Sequence, residues 1–187
     1  MFVGDAGMVS QDNLKRLSES GGKYILCMPM RRGDEVTKEV LQRPGRFQTV
    51  SENLRVKEEV VGEGERRRRY VVCHNPQEEK RQRAHRRQVL YEVEAELASL
   101  KEAPGESHSK RVCQLRASRR YGRYLRLTQG GLLRIDAAKR REAEQFDGKF
   151  VVHSNDDSLT PGDLALGYKQ LQRVEEAWRT LKSGLRM

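Results

Sequence analysis

The sequence predicts an α/β protein whose sheet is interrupted by a β-rich, basic segment, and three observations predict it. Two apolar runs, Phe2-Val3 and Lys23 to Met30 (KYILCMPM), read as buried strands with a helical stretch between them, a β-α-β unit. Two longer stretches, Pro76 to Lys101 and Thr160 to Lys182, carry apolar residues at helical spacing. Between them lie segments of hairpin composition, rich in Val, Tyr and Leu and punctuated by glycine.

Charge narrows the function classes. Lys and Arg outnumber Asp and Glu by 37 to 27, giving +10 and a pI near 9.8, which favours a polyanionic partner, nucleic acid first. Only 36% of the 187 residues are hydrophobic against 34% charged, so the core is expected to be small relative to the surface. No apolar run is long enough to cross a membrane, and no secretory leader is read at the start. Cys27, Cys73 and Cys113 lie far apart without zinc spacing, which points to a reducing, cytoplasmic setting.

In chain order, Phe2 and Val3 end the first strand, and Asp5 follows at its carboxyl end. In α/β folds that is where catalytic and metal-binding groups sit, although a turn aspartate is the plainer reading. Ser10 or Asp12 caps a helix from Gln11 to Ser18, and Gly21-Gly22 ends it before the second strand. A short helix is expected around Asp34 to Leu41 and stops by Pro44-Gly45. Leu54 to Val61 and Arg66 to His74 form a hairpin around Gly62-Glu63-Gly64. Arg66, Arg67, Arg68 and Arg69 sit on its second strand, either along a nucleic-acid backbone or as charges protecting an edge.

The Pro76 to Lys101 helix has a stripe of Val89, Leu90, Val93, Leu97 and Leu100, with a basic first half and an acidic second half. Glu102 to Ser109 reads as a linker. Lys110 to Arg126 is dense in basic residues, Arg119 and Arg120 among them, with Tyr121 and Tyr124 interleaved. A second hairpin follows around Gln129-Gly130-Gly131. Asp136 to Phe146 is a short helix, Lys149 to Ser154 a strand, and Asp156 and Asp157 turn residues. Thr160 caps the last helix with Pro161 at its first position.

The last helix carries the chemistry. At about 100° per residue, Leu164, Leu171, Val174, Trp178, Leu181 and Leu185 make one stripe, with Tyr168, Glu175 and Lys182 in it. A carboxylate and an ammonium on a core-facing stripe must be paired or bound to a metal. Two readings follow: a Glu175–Lys182 rim pair, or a site in which Asp5 and Glu175 supply hard oxygen ligands suited to Mg2+.

Tyr168-x2-Leu171-x3-Glu175-x6-Lys182 resembles the Tyr-x2-Arg-x3-Glu-x6-Lys signature of DDE transposases from bacterial insertion sequences. Phe2 to Met8 resembles their second-aspartate strand, and Gly148 to Asp156 the core strand before the signature helix. The resemblance implies a partial RNase H-like catalytic core, residues 1–30 and 136–187, interrupted by a β-rich basic insertion with one long helix, 31–135. It implies Mg2+-dependent cleavage and strand transfer in DNA transposition, with Asp5 and Glu175 as the second and third acidic residues and as metal ligands. Tyr168 and Lys182 would meet phosphates near the cleaved end, with Arg66 to Arg69, Arg119 and Arg120 along the flanking duplex. The implied partners are transposon-end and target DNA, with a homodimer open to the intact parent.

Two positions depart from the pattern. Leu171 stands where the signature has Arg, and the family's first aspartate has no counterpart, since four residues precede Asp5. The chain is therefore expected to be the C-terminal part of a catalytic domain and inactive alone. The alternatives are a DNA-binding remnant without catalysis and an unrelated basic RNA-binding protein.

Overall fold

The computed structural model describes residues 1–31, 35–102 and 105–184. The chain forms two compact units, Met1–Pro76 with Lys149–Met187, and Gln77–Gly148. These do not follow the sequence division at 30 and 135. The hairpin strands expected in an insertion are hydrogen-bonded into the same sheet as the first two strands.

The first unit is built on six strands. They are β1 (Phe2–Gly4), β2 (Tyr24–Met28), β3 (Gln48–Ser51), β4 (Leu54–Val61), β5 (Arg68–His74) and β8 (Lys149–Ser154), in the order β1-β2-β8-β5-β4-β3. β1 and β2 are parallel, as the β-α-β reading requires, and every other pairing is antiparallel. β1 is an edge strand with Phe2 exposed, not the buried strand expected. Ser10 Oγ accepts from the Asn13 amide at 3.1 Å and so caps α1 (Gln11–Glu19), while Gly21 at φ +66 lets the chain turn back. The expected helix near residue 34 is a π-helical turn, Glu35–Val40; Asp34 lies outside the described residues. Between β4 and β5, Gly62 adopts φ +76, and a Cβ there would meet the Arg66 carbonyl oxygen at 2.5 Å, so only glycine closes this hairpin.

Alternation along the strands gives the sheet two apolar faces. On one, Ile25, Val56, Val71, Cys73 and Val152 receive Leu164, Ala165 and Tyr168 from α5 (Pro161–Gly184). On the other, Tyr70, Val72 and Val151 pack with Val36 and Val40 of the π-helical turn. The α5 start is a capping box: Thr160 Oγ1 accepts from the Asp163 amide at 3.1 Å, and an Asp163 carboxylate oxygen accepts from the Thr160 amide at 3.2 Å. Asp156 closes the preceding turn, accepting from the Ser158 amide and hydroxyl at 3.0 and 2.6 Å; these bonds hold its carboxyl below the usual range.

The second unit is mostly helical rather than β-rich. α2 (Pro76–Lys101) spans the predicted range and buries Val89, Val93 and Leu100. α3 (Gly105–Ala117) begins inside the expected linker, and Ala103 and Pro104 lie outside the described residues. The predicted second hairpin is β6 (Leu125–Leu127) and β7 (Leu133–Ile135), followed by α4 (Ala137–Glu144), whose N-cap Asp136 accepts from the Ala138 and Lys139 amides. Leu115, Tyr124, Leu125 and Leu133 complete this core against α2.

Candidate functional site

Asp5 leaves β1 in extended conformation (φ −85, ψ 175), and its carboxylate accepts from the Gly7 amide at 3.0 Å, capping a one-turn 3-10 helix, Ala6–Met8. The aspartate therefore does what a turn aspartate does, and the same bond fixes where its carboxylate lies. Cys27, at the end of β2, is its neighbour. Burial holds the Cys27 thiol above its ordinary pKa, a hydrogen bond with Tyr168 works against this, and the Asp5 charge adds to it.

Tyr168 stands on the face of α5 that packs on the sheet. It is 5% exposed and its ring lies 5.5 Å from that of Phe150. Burial, then the bond to Cys27, then the charge of Glu175 push its phenol pKa up, while Gln172 opposes them. Tyr168 thus lines the floor of the site and has almost no surface to offer a phosphate. This corrects the expectation of a direct DNA contact there, and the cause is packing against Phe150 in the core.

Glu175 follows two turns later on the same helix. Asp5 and Cys27 follow the last paired positions of β1 and β2, Cys27 bonds Tyr168, and the charge of Glu175 is felt at the Tyr168 phenol. Glu175 is exposed, however, as is every described residue from 172 to 183, Val174, Trp178 and Leu181 included. The stripe faces the core only as far as Leu171, so the argument that Glu175 must be paired does not hold: a solvated carboxylate has no desolvation cost to offset. Lys182 is exposed too, two turns or about 10 Å farther along the helix, beyond direct ion-pair reach of Glu175. Leu185 lies outside the described residues.

The hairpin arginines do not join this group. The registers Ile25↔Ser154 and Arg69↔Ser154 put them at the opposite end of the sheet from Asp5. Arg69 is 6% exposed, bonded to Glu58 and, at 2.6 Å, to the Asp156 carbonyl, so it is structural rather than free for a backbone phosphate. Arg67 is ion-paired with Asp157 at 3.0 Å, Arg68 is half-buried in the strand, and Arg66 is exposed in a 3-10 turn, not on the strand. In the second unit Arg119 is exposed, while Arg120 donates to Glu92 at 2.7 Å.

The donors at the Asp5 end are of the right type for a hard divalent cation, since both are carboxylates. Their number is short. Among the described residues no three His, Cys, Asp or Glu side chains form a metal-holding group. The residues fit such an ion if phosphate oxygens of a substrate and water complete its shell.

Sequence reasoning missed two features. Cys27 and Gln172, which connect to Tyr168, carry no motif and become neighbours only through the sheet and the helix turn. Arg86 is buried, its Nη1 and Nη2 each 2.6 Å from an Asp147 carboxylate oxygen. The signal was present, since Arg86 precedes Val89 and Val93 by three and seven residues and so shares their register.

A family model describing the transposase DDE domain matches residues 1–187. No curated protein and no solved structure matches the chain.

Proposed function

The chain belongs to the transposase DDE domain family, and on that premise we propose that it takes part in cation-dependent cleavage and strand transfer of DNA, with Asp5 and Glu175 as its metal-holding carboxylates. One observation supports the assignment of residues. Asp5, 170 positions from Glu175 in sequence, acts electrostatically on Cys27, Cys27 bonds Tyr168, and Tyr168 feels the charge of Glu175. An aspartate just past a strand terminus and an exposed glutamate on the helix packed against that strand are the two oxygen donors the proposal uses.

When bound, a divalent cation such as Mg2+ supplies the charge that activates an attacking water or 3′-hydroxyl and stabilises the leaving oxygen. The chain's own residues supply the frame. Gly7 holds the Asp5 carboxylate in place, and Tyr168 anchors α5 on the sheet so that Glu175 emerges about two turns past this last buried residue. Lys182, exposed on the same helix, offers a point charge to a phosphate of the reacting strand. Basic residues on both units suit the flanking backbone, which carries charge rather than sequence information. Three of the four positions of the helix signature, Tyr168, Glu175 and Lys182, support an insertion-sequence type of transposase.

The test uses the full chain, a labelled duplex and Mg2+. Glu175→Gln is expected to retain DNA binding while reducing Mg2+-dependent nicking at least about a hundredfold, the loss of a group acting in the transition state. Nicking at the unmutated rate in Glu175→Gln removes Glu175 from the site. A second reading, DNA binding without cleavage, is favoured by the absence of a three-ligand group among the described residues. Wild-type binding with no metal-dependent nicking establishes that reading instead.

A further inference from the structure

We propose that an arginine-lined cavity between α2 and α4, within the 77–148 unit, seats one backbone phosphodiester of duplex DNA. The inference rests on the DNA-processing function above and assigns part of its substrate contact to a place that involves neither Asp5 nor Glu175. The cavity is about 280 Å³, and its walls are Arg83, Arg86, Arg87 and Leu90 of α2 with Arg140 and Glu144 of α4.

Local geometry makes the wall. Positions 83, 86, 87 and 90 are spaced i, i+3, i+4 and i+7, so they share one helical face. Positions 140 and 144 share a face of α4 in the same way. Four guanidinium groups on one cavity repel one another unless answered by negative charge. Three carboxylates answer three of them. Asp147 takes Arg86 in a bidentate pair at 2.6 Å, Glu79 takes Arg83 at 2.5 Å, and Glu144 lies 3.8 Å from Arg140 Nε. Arg87 is exposed and has no ion pair among the described residues. The cavity therefore keeps one net positive charge, at Arg87.

That balance suits a particular ligand. A phosphodiester carries a single negative charge, matching the single positive one. A terminal phosphate monoester carries about two at neutral pH, and the Glu144 carboxylate on the wall would repel the second. The guanidinium fork fits two phosphate oxygens at once, which a lysine does not reproduce. Buried Arg86 gives the site a rigid back wall, and half-buried Leu90 adds an apolar surface on the same helical face.

The experiment measures duplex DNA affinity of the full chain over a salt series for wild type, Arg87→Gln, Arg87→Lys and the control Lys110→Gln, which removes another exposed charge, from α3. Far-ultraviolet circular dichroism confirms that each variant is folded. If Arg87 neutralises one phosphate, the slope of log affinity against log salt falls by about 0.9 in Arg87→Gln. The slope is retained in Arg87→Lys at reduced affinity, and Lys110→Gln leaves it unchanged. Arg140→Gln, on the opposite wall, is expected to follow Arg87→Gln if that variant does not fold. Wild-type binding with an unchanged slope in the Arg87→Gln or Arg140→Gln variant overturns the phosphate seat and leaves the carboxylate site standing. An equal slope change in Lys110→Gln also overturns it, because the charge then acts through the general field. Absence of duplex binding by wild type, or a preference for single-stranded RNA, overturns both this inference and the DNA-processing function.

Discussion

Arg86 and Glu175 are the same puzzle with opposite solutions. Each is a charged residue in the apolar register of a long helix. Arg86 is 5% exposed and closes a two-bond pair with Asp147 across its unit's core. Glu175 stands on a part of α5 where nothing is buried, and it needs no partner. A register says which side chains share a face. It does not say whether that face is covered, and only cover makes a charge costly. The consequence is testable at Arg86. Arg86→Ala leaves Asp147 buried opposite an empty space, and denaturant unfolding is expected to show a loss of roughly 3–5 kcal/mol. The same experiment on Arg86→Met with Asp147→Leu is expected to recover much of that loss, since the paired deletion leaves no orphaned charge. A loss under about 1 kcal/mol in Arg86→Ala would mean that water already reaches the Asp147 carboxylate.

At the scale of elements, α5 changes character along its length. Its first two turns are fixed by the Thr160–Asp163 capping box and by Leu164, Ala165 and Tyr168 on the sheet. A box of this kind contributes about 1 kcal/mol, and burial of the three side chains more. From 172 to 183 the same periodicity continues with every described residue exposed. Leu171, Val174, Trp178 and Leu181 were legible in the sequence as a stripe, but the sequence could not show that the stripe is uncovered beyond Leu171. Cover depends on what the rest of the chain packs against the helix, which the helix's own periodicity does not encode. Trp178 is the single tryptophan and is 62% exposed, so it reports on this half of the helix. Its fluorescence is expected to resemble that of a solvated indole and to be quenched readily by acrylamide. Blue-shifted emission shielded from the quencher would show the stripe to be covered in solution.

At the scale of the molecule, what the sequence made legible was local. The long helix α2, strand β8, the capped start of α5 and both hairpins follow from periodicity, glycine and proline placement, and cap chemistry. The insertion of β8 between β2 and β5 was not legible, because it pairs residues at least 75 positions apart and no short-range signal encodes a partner at that distance. The boundary at 30 failed for the same reason: β4 and β5 read correctly as a hairpin, and only long-range pairing adds them to the first two strands. The linker reading of 102–109 failed locally, since glycine and serine suit a helix start as well as a loop, and α3 begins at Gly105. Net charge survives all of these corrections, because it depends on no pairing. Several of the 37 basic residues are consumed by the fold, Arg69 and Arg86 most completely, yet the formal balance stays at +10. Binding to duplex DNA is therefore expected to be governed by release of counterions from phosphate. If the basic residues of the chain engage six to ten phosphates, affinity falls by roughly three to five orders of magnitude between about 50 and 200 mM salt. Equilibrium titration of a fixed duplex across that range measures it. A fall confined to a few-fold would mean that the surviving charges are dispersed over the surface, with too few of them meeting the backbone for the excess to act as a DNA-binding device.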